Sequence, residues 1–146
     1  DSVYIDSSDP GYSNCVSGIN DNLFWWRGSD STNCCAHTDP GPGGTYTWFS
    51  FNFANSVLVK TILIVNREDA APERLVGSKL RVGFESSPTE NPSCNADPTG
   101  SGVFLCNSPH GLVGNKITLY KNVTGLADNA LNICELRLYS YVSGCG

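Results

Sequence analysis

The sequence predicts an all-β fold, an antiparallel β-sandwich stabilised by disulfides. Three observations point there. Turn formers are abundant, with 15 Gly and 8 Pro among 146 residues, while only 16% of residues are charged and Met is absent. Several short apolar runs alternate with period two, the spacing of a strand with one buried face. No heptad, 3.6-residue stripe or internal repeat appears, so helix is expected to be a minor component. A chain of this length fits one domain, residues 1–146, with room for a true core.

Taken in order, residues 1–22 read as polar and turn-like. Leu23-Phe24-Trp25-Trp26-Arg27 then forms a dense apolar cluster. Neighbours on an extended segment face opposite sides, so at least one of Phe24, Trp25 and Trp26 is expected to be partly exposed, and the others to be core. Residues 28–33 form a loop leading to Cys34-Cys35. Strands are expected over 45–53 and 57–65, joined by a short turn at Ala54-Asn55-Ser56. A further strand is expected over 79–84, then a loop to 102, a short strand over 103–105, and alternating strands over 116–120 and 132–142.

Between the strands 57–65 and 79–84 the apolar pattern breaks into Asn66-Arg67-Glu68-Asp69-Ala70-Ala71-Pro72-Glu73-Arg74. Connections of this size are where binding groups are commonly displayed. A guanidinium holds several donors in fixed directions and keeps its charge, which suits adjacent oxygens on a polyol or a carboxylate. An aspartate two residues after Arg67 can hold such a fork still by a charge-assisted hydrogen bond. The blander reading is a solvated loop whose charges pair with one another. Glu68 and Glu73 fit that description and would contribute little.

The net charge of −5 argues against a nucleic-acid partner. No stretch is long enough for a membrane span, so no membrane insertion is expected. The first residues are not a signal peptide, and an opening at Asp1 reads as a mature form or an excised domain. Seven cysteines, at 15, 34, 35, 94, 106, 134 and 145, point to an oxidising, extracellular compartment. Zinc fits poorly, because there is no C-x2-C pair and only two histidines are present. The sequon Asn122-Val123-Thr124 agrees with secretion.

Four motifs in order then carry a resemblance. Arg67-Glu68-Asp69, four residues and Arg74 match an R-x-D-x4-R/K signature, and Cys35-Ala36-His37-Thr38 matches C-x-H-T. Trp48-Phe49-Ser50-Phe51-Asn52-Phe53 is similar to a W-W-R-V-D-L strand, and Asn132-Ile133-Cys134-Glu135-Leu136 to L-x-L-C-E-V. Together, from about residue 14 to residue 140, they resemble the F-type lectins, the fucose-binding fucolectins. The chain departs from that pattern in spacing. Here 29 residues separate His37 from Arg67, a few more than the family usually has, and the Pro/Gly segment 39–44 most easily absorbs the surplus.

The resemblance implies a jelly-roll sandwich of the discoidin, or galactose-binding, type and a non-catalytic lectin for terminal L-fucose or a sugar with similar hydroxyls. His37, Arg67 and Arg74 would hydrogen-bond the axial hydroxyl, its neighbour and the ring oxygen, which only accepts. Asp69 would orient an arginine. Trp25 or Trp26 would pack the methyl and C–H face of the sugar. Some family members place a vicinal disulfide in the gap between the aspartate and the second arginine; this chain has Ala70-Ala71-Pro72-Glu73, so Ala71 or a neighbour would form an apolar floor.

A structural calcium ion is also implied, held by Asn14, Ser17, Asp21, the Cys134 carbonyl and Glu135. Ser17 stands where the family has aspartate, so Asp21 or Asp30 would have to compensate. The implied disulfide is Cys35–Cys134. Cys94–Cys106 would close a short Pro/Gly/Asn-rich loop, with Cys15–Cys34 preferred for the remainder and Cys145 free or joined to another chain. Partners are then fucosylated glycans or glycoproteins, bound through several sites on an oligomer or tandem array, with linkage preference set by residues 28–33 and 39–44. Catalysis is not expected. The clustered carboxylates Glu68, Asp69 and Glu73 sit among arginines that keep them ionised, and no nucleophile with its own base is visible. The competing reading is a discoidin-like sandwich that binds a protein or membrane surface through exposed aromatics in residues 23–26.

Overall fold

The computed structural model describes residues 2–5, 35–38, 44–68, 70–87, 89–107, 109–128 and 130–140. Eight strands run in chain order: β1 (Ser2–Ile5), β2 (Ala36–His37), β3 (Tyr46–Val65), β4 (Ser78–Gly83), β5 (Gly102–Leu105), β6 (Leu112–Asn122), β7 (Asn132–Ile133) and β8 (Glu135–Ser140). All pair antiparallel. One 3₁₀ turn, Pro72–Leu75, interrupts the pattern between β3 and β4.

β3 is the spine. Its first part lies between β1 and β6, with β4 on the far side of β6, and its second part lies between β5 and β8. The expected turn at 54–56 is instead a bulge. Between the pairs Asn52↔Lys116 and Val57↔Gly114, residues 53–56 of β3 stand opposite Asn115 alone. No residue there has positive φ and none is Gly or Pro, so nothing allows a tight reversal. Phe53 and Val57, on either side, pack against the core and keep the chain extended.

A second irregularity has a larger effect. Val59 pairs with Ser140 and Thr61 with Tyr139, which leaves Lys60 without a place in that ladder. One extra residue reverses the face each later side chain occupies. Accordingly the buried apolar positions are odd before it (Phe49, Phe51, Val59) and even after it (Ile62, Ile64). The Lys60 carbonyl is taken up by the Cys106 N–H at 2.9 Å.

Both parts of β3 face one core. Phe49, Phe51, Leu80, Val82, Ile117 and Leu119 meet Val59, Ile62, Ile64 and Leu136 in a single buried cluster. Each such side chain contributes roughly 1.5–3 kcal/mol of burial. The antiparallel β-sandwich expected from composition and alternation is therefore the fold observed. The expected strands over 79–84, 103–105 and 116–120 appear with slightly shifted or longer bounds.

Three further expectations need correcting. Residues 2–5, read as turn-like, form β1, a strand too short to show periodicity. β2, Ala36–His37, was not expected as strand either. The strand over 132–142 is broken at Cys134, whose N–H bonds the Val65 carbonyl at 2.8 Å, so that β7 pairs with β2 and β8 with β3. Cys35–Cys134 and Cys94–Cys106 are both formed, as expected. The expectations for Cys15, Cys34 and Cys145 lie outside the described residues.

Candidate functional site

The β2–β7 ribbon aligns Ala36 with Ile133 and His37 with Asn132. The Cys35–Cys134 disulfide closes one end of it. At the other end the Thr38 N–H bonds the Leu131 carbonyl at 3.0 Å, and the Leu131 N–H bonds Thr38 Oγ1 at 2.9 Å. His37 and Asn132 therefore leave neighbouring backbones already fixed on both sides.

The turn between β3 and β4 brings Arg74 to them. Ala71 enters it with φ 50°, a left-handed conformation uncommon for alanine, and Gly77 leaves it with φ 84°. Pro72 opens the 3₁₀ turn, where its fixed φ suits the first position. The Ala71 carbonyl accepts from the Arg74 N–H at 3.2 Å and from Asn132 Nδ2 at 3.3 Å. Buried Asn66 Nδ2 holds the Pro72 carbonyl at 2.8 Å, and Lys121 Nζ holds that of Arg74 at 3.1 Å.

The Arg74 guanidinium is gripped on two of its three nitrogens. Nε donates to Asp128 Oδ2 at 2.8 Å. Nη1 donates to Asn132 Oδ1 at 3.3 Å and lies 3.2 Å from His37 Nδ1. A guanidinium only donates, so Nδ1 accepts, and this contact assigns the ring proton of His37 to Nε2. Among the described residues no hydrogen bond engages Nη2, and the side chain is 24% exposed, enough to meet a ligand.

Charge reinforces the grip. Burial works against the ionised Asp128, but the hydrogen bond from Arg74, the Ala130 N–H and the positive charges of Arg74 and Lys121 outweigh it and hold the carboxyl below its ordinary value. Lys121 moves below its ordinary value, chiefly through burial and with help from Arg74, while Asp128 and Glu73 oppose the shift.

The structure thus brings together His37 and Arg74 among the residues singled out from sequence. Arg67 is partly exposed on the same connection, two residues beyond the end of β3. Ala71 shapes the turn under Arg74, and Glu68 and Glu73 are exposed. Cys134 and Glu135 sit at the junction of β7 and β8, where Glu135 is fully buried with Oε1 3.4 Å from Arg137 Nε. Among the described residues no three His, Cys, Asp or Glu side chains cluster as a metal site. Asp69, Trp25, Trp26, Asn14, Ser17, Asp21 and the aromatics of 23–26 lie outside the described residues. Sequence reasoning missed Asp128 and the role of Asn132. Asn132 opened a recognised motif, so its place beside the histidine was within reach. Asp128, in a polar segment far along the chain, gave no signal.

The antiparallel sandwich is a fold this chain shares with several solved domains. A fucose-binding module of Streptococcus pneumoniae, SpX-3, superposes with a TM-score of 0.67 at 18% identity, covering 96% of this chain and 93% of that one. An F5/8 type C domain from Bacteroides fragilis gives 0.63 at 13% identity, covering 94% and 89%. The serum f-lectin (fucolectin) of striped bass, Morone saxatilis, gives 0.74 at 19% identity, covering 97% of this chain and 45% of that one.

No protein-family model matches the chain. Among curated proteins it is 26% identical over 130 residues to fucolectin-6 of Anguilla japonica, and 28% identical over 119 residues to fucolectin-1 of the same organism. Those alignments cover 86% and 77% of this chain. The chain spans about three fifths of the length of these relatives, 61% and 62% respectively. In sequence and in fold it resembles the F-type lectin, or fucolectin, family. Among the described residues no helix is long and apolar enough to cross a membrane.

Proposed function

We propose that this domain is a non-catalytic, secreted lectin that binds terminal L-fucose, or a sugar with a similar hydroxyl arrangement, on glycans. The observation that carries the reading is the Arg74 guanidinium fixed by His37, Asn132 and Asp128, with no hydrogen bond to Nη2 among the described residues. Two N–H groups on one nitrogen can serve adjacent sugar oxygens, including a ring oxygen that only accepts. Arg67, from the same connection, supplies the second cationic donor, and Asp69 steadies it. Trp25 or Trp26 packs the apolar face of the sugar, over a floor that includes Ala71.

Charged hydrogen bonds of roughly 1.5–3 kcal/mol each, offset by lost hydration, imply micromolar to millimolar affinity for one monosaccharide. Useful retention on a cell or glycoprotein then comes from several such domains acting together. Calorimetric titration with L-fucose, beside D-galactose and a glycan array, tests the reading. Heat of binding with fucose and retention of fucosylated glycans are expected. Silence in both assays overturns it.

The same reading extends to calcium. A buried carboxylate is stabilised by cationic neighbours; Arg137 is one for Glu135, and a calcium ion bound also by the Cys134 carbonyl, Asn14, Ser17 and Asp21 would be another. The ion would serve as a structural tie. Its test is thermal: chelator should lower the melting temperature and added calcium restore it.

A further inference from the structure

The sequon at the end of β6 is not used by the sugar site, and its surroundings are informative. Asn122 and Thr124 are both exposed, while Val123 between them is buried at 2% and anchors the turn. The Thr124 N–H donates to Asn122 Oδ1 at 3.0 Å, and the Val123 N–H to the Thr45 carbonyl at 2.9 Å. Gly125 follows with φ 75°, turning the chain away. On the β3 side Asn122 is paired with Tyr46, while the β4 ladder begins one position earlier, at Ser78↔Lys121. Nothing in β4 therefore stands opposite Asn122.

Alternation along β6 separates this asparagine from the site. Lys121, paired with buried Thr47 and Ser78, reaches the Arg74 carbonyl, so Asn122 projects from the opposite face. On that face its cross-strand partner is Tyr46, 37% exposed, with its ring packed edge-on against Tyr120 at 5.9 Å between centroids. Cross-strand partners have Cβ atoms about 4.5–5.5 Å apart, so the Tyr46 ring lies within reach of a sugar attached to Asn122. The other place with the right outer residues, Asn91-Pro92-Ser93, is barred by its proline and by burial of Asn91.

We infer that Asn122 is an N-glycosylation site whose first sugar packs on Tyr46, on the face of β6 away from Arg74. In the transfer, Asn122 Nδ2 attacks the anomeric carbon of a lipid-linked oligosaccharide pyrophosphate. A C–N bond forms, the bond to the pyrophosphate oxygen breaks with its electron pair leaving on the lipid pyrophosphate, and Nδ2 gives up one proton. The inference rests on the secretory reading above but not on the fucose assignment. The attached glycan keeps the β1–β3–β6 face solvated and leaves the lectin site open.

The test is expression of the full chain behind a secretion signal in mammalian cells, followed by intact mass and peptide mapping before and after peptide:N-glycosidase, on secreted and retained protein. The expected result is one oligosaccharide on Asn122, removed with conversion of that residue to Asp. Asn122→Asp, which keeps the turn's acceptor oxygen, and Thr124→Ala should both lack it. Fucose titration, run separately, should agree within about twofold between glycosylated and enzymatically deglycosylated protein. An unmodified Asn122 peptide throughout overturns the assignment, whatever the fucose result. A large gain in fucose affinity on deglycosylation overturns its placement away from the site.

Discussion

Arg74 Nη1 lies 3.2 Å from His37 Nδ1, although 36 residues, including the whole of β3, separate the two positions in the chain. Each fixes the other's chemistry. The guanidinium determines which ring nitrogen carries the proton, and the imidazole, with Asn132, occupies both hydrogens of Nη1.

Arg74→Ala should abolish fucose binding. Because its partner Asp128 is 49% exposed, the lost ion pair should change stability by only about 0–1 kcal/mol. Arg74→Lys keeps the charge but not the fork, and should weaken binding at least about tenfold. Calorimetry paired with thermal melting separates the two effects. Full affinity in either variant would refute the role of Nη2.

Asp128→Asn should weaken binding several-fold without the residue touching sugar, because Nε of Arg74 loses its charged acceptor. The pH dependence follows from the lowered carboxyl. Its folded-state value lies below the unfolded value of 3.8, so the clamp is fully present above that value and is lost as pH falls through the folded-state value. NMR titration of the Asp128 carboxyl should therefore find its midpoint under 3.8, with no contribution from this group between pH 5 and 8. In the Arg74→Ala variant the midpoint should rise.

Deletion of Lys60 tests the bulge. Without the extra residue, either Ile62 and Ile64 turn outward or the β8 pairing must slip, since both cannot be kept. Loss of two buried isoleucines costs roughly 3–6 kcal/mol, a large part of a domain's stability. A circular-dichroism melt should show an unfolded or deeply destabilised chain. Wild-type melting would mean that the face switch is not set at this residue.

Much of this was legible in the sequence, for identifiable reasons. The period-two alternation of 79–84 and 116–120 gave strands, because one face of each is buried. The family resemblance carried by the motifs implied the Cys35–Cys134 tie, which is formed, and singled out His37 and Arg74, which the fold brings side by side. What stayed hidden depends on pairing rather than pattern. β1 has four residues, too few to show a period, and is a strand only because 49–52 offers it a ladder. The bulge at 53–56 resembles a turn locally, and only the continuing ladder on β6 shows that the chain goes on. Asp128 belongs to the site because Arg74 reaches it across 54 positions of chain, a relationship no local signal records.

The ribbon of β2 and β7 has one more implication. His37 and Asn132 stand side by side, with a covalent cross-link on one flank and the Thr38–Leu131 pair on the other. Neither can swing without the other. On the lectin reading proposed above, the order a sugar would otherwise have to impose on these two residues is already set when the domain folds, so a ligand as small as one monosaccharide would spend little of its contact energy on organising its receptor.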